Sequence, residues 1–130
     1  MTRFRGSEEY GKLVKEVICL DWATILLDLT YKFIDEAALE HGLPDGGIPK
    51  LRFTHIMLAE DTQKERHLLI EEWLGDGPDF VKYINNGHPV SCVGSTAPKE
   101  VHRRAEFLCF AQHVQYNETR GLVYTSDYQG

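Results

Sequence analysis

Apolar residues at Val14, Ile18, Trp22, Ile25, Leu29, Phe33 and Ala37 recur in steps of four and three. Side chains so spaced lie along one side of an α-helix. Upstream, Ser7-Glu8-Glu9 offers a hydroxyl to cap the helix and two carboxylates for its positive first turn. Downstream, Gly42 and Pro44 punctuate the end. The pattern predicts one long helix, or two shorter ones broken near Leu20-Asp21. The apolar face is expected to pack on a core rather than to serve as a partner-binding amphipathic surface.

Beyond a turn-rich connection from Leu43 to Lys50, Phe53, His55, Met57 and Ala59 alternate loosely with polar neighbours, as in a strand. Glu60 to Glu65 reads as a charged turn. His67 to Ile70 reads as a short second strand running into Glu71-Glu72-Trp73-Leu74. The glycines and prolines between Gly75 and Pro98 predict mostly loop. Thr96, Pro98 and Glu100 then open a second helix, with Val101, Ala105, Leu108, Ala111, Val114 and Gln115 on its inward face. Asn117 to Gly121 closes it, and Gly121 to Ser126 is expected to be a strand that delivers Asp127. The class is α+β, with no internal repeat and no linker between domains.

Composition narrows the partners. The 130 residues carry 20 acidic and 14 basic side chains, a net charge of −6, and 42% are hydrophobic. That fraction is enough for a core, because a chain of this size buries about two-thirds of its unfolded surface. The acidic balance argues against nucleic acid and against anionic membranes, since few cations are left to hold phosphates. Asp21 and Asp28 interrupt the most hydrophobic stretch, so no membrane span is expected. Cys19, Cys92 and Cys109 are odd in number and form no CxxC, so buried reduced thiols in an intracellular, cytoplasmic protein are expected. No secretory signal is visible behind Met1 to Gly6.

Single chemical motifs are weak. There is no GxxxxGK[ST], GxGxxG or HExxH, and Gly75-Asp76-Gly77 is more readily a turn than a phosphate cradle. The six histidines show no metal-ligand spacing among themselves. An aspartate at a strand end is more often a turn former than a catalyst.

Four blocks taken together carry more. Glu71-Glu72-Trp73-Leu74, then Phe80-Val81-Lys82-Tyr83-Ile84-Asn85-Asn86-Gly87, then Phe110-Ala111-Gln112-His113, and finally Ser126-Asp127-Tyr128-Gln129-Gly130 follow in an order and spacing that resembles the alpha-kinase family of atypical protein kinases. The likeness covers nearly the whole chain and is clearest from Leu68 to Gly130. It implies the central part of a two-lobed kinase fold, truncated at both ends: helices of the N-terminal lobe, a hinge near 71–74, and the start of the C-terminal lobe. It implies transfer of the ATP γ-phosphate to serine or threonine hydroxyls of a protein substrate.

Roles follow from the resemblance residue by residue. Asp127 matches the catalytic aspartate, which orients the substrate hydroxyl or accepts its proton. Lys82 and Asn86 match catalytic-loop groups facing the transferred phosphoryl, Gln129 a ligand of the ATP-bound Mg²⁺, and Glu71 the hinge where adenine binds. His113 matches one ligand of the family's structural zinc. The family's ATP-binding lysine falls at about Met1-Thr2, with Arg3 and Arg5 off its register. The second metal-binding aspartate, the glycine-rich segment and the other zinc ligands would come after Gly130. The chain alone is therefore expected to lack zinc and kinase activity. The alternative is a non-catalytic interaction module that keeps part of a kinase scaffold.

Overall fold

The computed structural model describes residues 6–75 and 80–130. The fold is α+β: helix α1 (Gly6–His41), strands β1 (Ile56–Asp61) and β2 (Arg66–Glu71), and helix α2 (Lys99–Glu118). Two compact units divide the chain, the first made of residues 1–24 and 52–75 and the second of 25–51 and 76–130. Neither described helix is long and apolar enough to cross a membrane.

In the first unit β1 and β2 form an antiparallel hairpin with Met57 opposite Ile70 and Ala59 opposite Leu68. Alternation splits its side chains. Met57, Leu68 and Ile70 are exposed, whereas Leu58, His67 and Leu69 are half-buried. The His67 ring meets Tyr10 of α1 at 4.7 Å. The turn is made by Asp61, whose Oδ1 accepts the N–H groups of Gln63 and Lys64, an Asx turn. Strand β1 begins at Ile56, three residues later than the alternation from Phe53 suggests. The approach to it is organised instead by an ion pair between Arg52 and Glu72 at 2.6 and 2.7 Å. Glu72 also accepts the His55 N–H at 3.0 Å.

The second unit packs Leu26, Leu27 and Ile34 of α1 with Ala105, Phe107, Leu108, Ala111 and Val114 of α2, and with Tyr83, Ile84 and Tyr128. Helix α2 begins after Pro98, which sits at the N-cap with φ −55° and supplies no side-chain cap. Its buried face is the expected one except at Val101, which is half-buried, and it is widened by Phe107 and Gln112.

Helix α1 is continuous, without a break at Leu20-Asp21. The Ser7 cap lies outside the described side chains, while Glu8 and Glu9 do occupy the first turn. The face is not the expected one. Ile18, Trp22 and Ile25 are 49%, 53% and 57% exposed, and Ala23, Leu26, Leu27, Thr30 and Ile34 are buried instead. Apolar residues surround this helix, so two stripes of equal period compete and only a partner selects between them. In the second unit that partner is α2: Gln115 Nε2 donates to Thr30 Oγ1 at 3.3 Å, and Tyr31 stacks on Phe107 at 5.5 Å.

Two further expectations are corrected. Gly121 to Ser126 is not a strand; side chains of α2 and of its C-cap Thr119, rather than a neighbouring strand, bond to its backbone at Val123 and Thr125. The cysteines are free but not buried: Cys19 and Cys92 are exposed and Cys109 is half-buried. Cys19 shares the outward side of α1 with Ile18, and Cys92 stands in an irregular loop.

Candidate functional site

Chain pairing near Gly130 creates the site. Val81 N–H donates to Gly130 O at 2.8 Å, Gly130 N–H donates to Val81 O at 3.0 Å, and Tyr83 N–H donates to Tyr128 O at 2.9 Å. Lys82 and Gln129 are thereby antiparallel bridge partners, and side chains directly opposite one another share a face. Tyr128 points to the other side and is buried. Burial pushes its phenol above the ordinary value, partly offset by Thr125 and Gln115 beside it.

Asp127 joins Lys82 and Gln129 through an unusual backbone. Its φ is +64°, a left-handed conformation that aspartate visits more readily than most residues. Lys82 Nζ forms an ion pair with Asp127 Oδ1 and donates to Gln129 Oε1 at 3.3 Å. The Lys82 side chain is 37% exposed and that of Asp127 51%, so the cluster opens to solvent.

Helix α2 holds the approach to Asp127. Gln115, fully buried, accepts the Thr125 N–H on Oε1 at 2.8 Å. Gln112 Nε2 donates to Thr125 O at 2.9 Å. Thr119 Oγ1 accepts from Val123 N and donates to Val123 O. A segment without a strand neighbour thus has its backbone satisfied by side chains, as a half-buried backbone requires. These positioning residues carry no role in the sequence reading. Their one signal is polar Gln112 and Gln115 three apart on an otherwise apolar helix face, with Thr119 four residues on at the C-cap.

The remaining expected residues are placed as follows. Asn86 lies in an exposed turn, next to Gly87 with φ +83° and inside the loop closed by the Ile84–Ser91 bridge. Among the described residues no hydrogen bond ties it to Lys82 or Asp127. Glu71 ends β2 in the first unit and is exposed. The carboxylate beside it, Glu72, is the engaged one, and its hydrogen bond to Arg52 pulls its pKa down to about 2. His113 is exposed on α2 and borders a cavity of about 260 Å³ with Cys109, Tyr116 and Tyr124. The Met1 to Arg5 positions and Asp76-Gly77 lie outside the described residues.

The Asp127–Gln129 pair offers oxygen donors of the kind a hard cation takes. The oxygens of Asp127 and Gln129 both contact a single cation, the Lys82 ammonium. A carboxylate and an amide oxygen are suitable Mg²⁺ ligands when phosphate and water complete the shell. A zinc centre is not built: among the described residues no three His, Cys, Asp or Glu side chains are placed to hold a metal. Comparison of the chain with protein-family models, with curated proteins and with solved structures finds no match in any of the three.

Proposed function

We propose that the second unit carries the phosphate-handling site of an alpha-type protein serine/threonine kinase domain, acting in ATP-dependent transfer of a phosphoryl group to protein hydroxyls. The observation that carries this reading is the meeting of Lys82, Asp127 and Gln129 from chain segments 45 residues apart. A carboxylate, a cation and an amide oxygen on one exposed face are the groups such a reaction needs. Phosphoryl transfer asks the protein for positioning and charge neutralisation more than for covalent chemistry.

Asp127 orients the acceptor hydroxyl and takes its proton, helped by its fixed left-handed backbone. Lys82 neutralises charge on the transferred group, and an arriving phosphate competes with Asp127 for its ammonium. Asp127 and Gln129 would hold Mg²⁺, which supplies further neutralisation of the nucleotide phosphates. By the same resemblance Glu71 contributes to adenine recognition and Asn86 to the catalytic loop.

The test is binding of ATP to the 130-residue chain with and without Mg²⁺, by calorimetry. Magnesium-dependent binding that disappears in Gln129→Ala and Asp127→Ala, with the fold retained by circular dichroism, supports the reading. Nucleotide binding indifferent to both side chains sinks it.

A non-catalytic interaction module is the second reading. It is favoured by the exposed apolar side chains of α1 and the hairpin, Ile18, Trp22, Met57 and Ile70 among them. Large exposed apolar groups often mark binding surfaces. This reading expects no magnesium-dependent nucleotide binding.

A further inference from the structure

The hairpin of the first unit has two outer edges, and they differ in what they can pair with. Glu72 N–H donates to His55 O at 2.8 Å, and hydrogen-bonded pairs alternate along an antiparallel ladder. With Ile70 opposite Met57 and Leu68 opposite Ala59, residues 68, 70 and 72 turn their backbone groups toward β1. His67, Leu69 and Glu71 therefore turn theirs to the outer edge of β2. Among the described residues, none of these three has a backbone partner outside the hairpin. Strand β2 contains neither proline nor lysine, the residues that most often blunt an open edge.

The order of residues in β2 selects the occupant. The strand begins basic, with Arg66 and His67, and ends acidic, with Glu71 followed by Glu72. His67 already lies 4.0 Å from Glu60 of β1. Arg66 and Glu71 form no ion pair among the described residues. Two copies of β2 laid antiparallel put these unlike ends together. A two-fold axis normal to the sheet keeps each face on its own side, so even-numbered residues oppose even and odd oppose odd. Centred on Leu69, the pairing sets His67 against Glu71, Arg66 against Glu72 and Leu68 against Ile70. Leu68 and Ile70 are 47% and 48% exposed, and this register continues their apolar row from one copy into the other. A centre at Leu68 would set Glu71 against Glu65 and Ile70 against Arg66. A centre at Ile70 would set Leu69 against Glu71. Strand β1 lacks this symmetry: it ends in Glu60 and Asp61 and has no basic residue.

We infer that the outer edge of β2 is a homodimerisation edge, to which a second copy of this chain adds its own β2 antiparallel, centred on Leu69, in the strand order β1-β2-β2-β1. Backbone bonds are exchanged between the two Leu69 residues and between His67 and Glu71. Such an edge contact is smaller than the roughly 1,600 Å² of a stable complex, so the dimer forms in concentrated solution. The inference rests on the first unit alone and is independent of the kinase reading.

The experiment follows sedimentation of the 130-residue chain from about 10 μM to about 1 mM, where monomer should give way to dimer. Over the same range, amide exchange should slow at His67, Leu69 and Glu71 but not at Ile56, Leu58 and Glu60, the outward residues of β1. The double variant Leu68→Lys, Ile70→Lys sets lysine against lysine and should weaken association by about tenfold or more. The double variant Leu68→Glu, Ile70→Lys should restore it, because the register centred on Leu69 sets glutamate against lysine twice. A chain that stays monomeric throughout, a dimer protected at the β1 amides, or one indifferent to the paired lysines would each overturn the assignment. So would failure of the glutamate–lysine variant to recover association. If the lysine variant fails to fold, the amide pattern of the parent chain decides alone.

Discussion

Lys82 and Asp127 form an ion pair across 45 residues of chain, and Asp127 makes it from a left-handed backbone, φ +64°, immediately before the chain pairs with 81–83. In an extended strand residues two apart share a face, so Asp127 stands on the Gln129 side of the chain, opposite buried Tyr128.

Replacing Asp127 separates chemistry from conformation. Asp127→Asn and Asp127→Gly keep access to the left-handed region, whereas Asp127→Ala strains it by about 1–2 kcal/mol. Urea unfolding should rank Asp127→Ala below Asp127→Gly in stability. Both should lose the carboxylate-dependent nucleotide binding equally. Equal stability of the two variants would argue against a strained residue at 127.

Gln115 is a structural keystone for the site. Its alanine variant leaves the half-buried Thr125 N–H without its acceptor and the fully buried Thr30 hydroxyl without its donor. Unsatisfied buried groups of this kind cost about 1–3 kcal/mol each. We expect Gln115→Ala to destabilise the chain by about 2–4 kcal/mol, read by chemical denaturation, and to loosen Asp127, read by faster exchange of the Thr125 amide.

The outward stripe of α1 gives a paired test. Ile25→Ala should change stability by no more than about 0.5 kcal/mol, as exposed positions do. Leu26→Ala, one residue on, should cost about 2–4 kcal/mol through a cavity. Reversed magnitudes would mean that the helix buries the stripe its spacing suggests.

Glu72 sets a pH dependence in the first unit. Its carboxyl is depressed to about 2 by the Arg52 hydrogen bond, with the His55 N–H adding to the effect. A free glutamate titrates at roughly 4.3. The folded value lies below the unfolded one, so the contribution is complete above that pH and is lost as pH falls toward 2. An NMR titration should show the Glu72 carboxyl returning to the ordinary range in Arg52→Ala. Protection of the His55 amide in the parent chain should fade over the same acid window.

What could be read before folding was local. The span of α2, most of its inward residues, the two strands about the charged turn and the absence of a membrane-spanning helix among the described residues follow from periodicity, turn residues and charge, each decided within a few residues. The residues Lys82, Asp127 and Gln129 were also legible, as letters in an ordered set of blocks. Their meeting was not, because a contact over 45 residues depends on where two distant backbones pair. Three matters belonged to tertiary structure alone. Helix α1 has apolar residues on more than one side, so the face carrying Leu26, Thr30 and Ile34 won only through its contacts with α2. The segment before Asp127 has strand-like letters, yet Gln112, Gln115 and Thr119 satisfy its backbone, so no ladder forms. The left-handed bend at Asp127 lies between that side-chain-held segment and the pairing at 128–130, two constraints that come together only when α2 is in place.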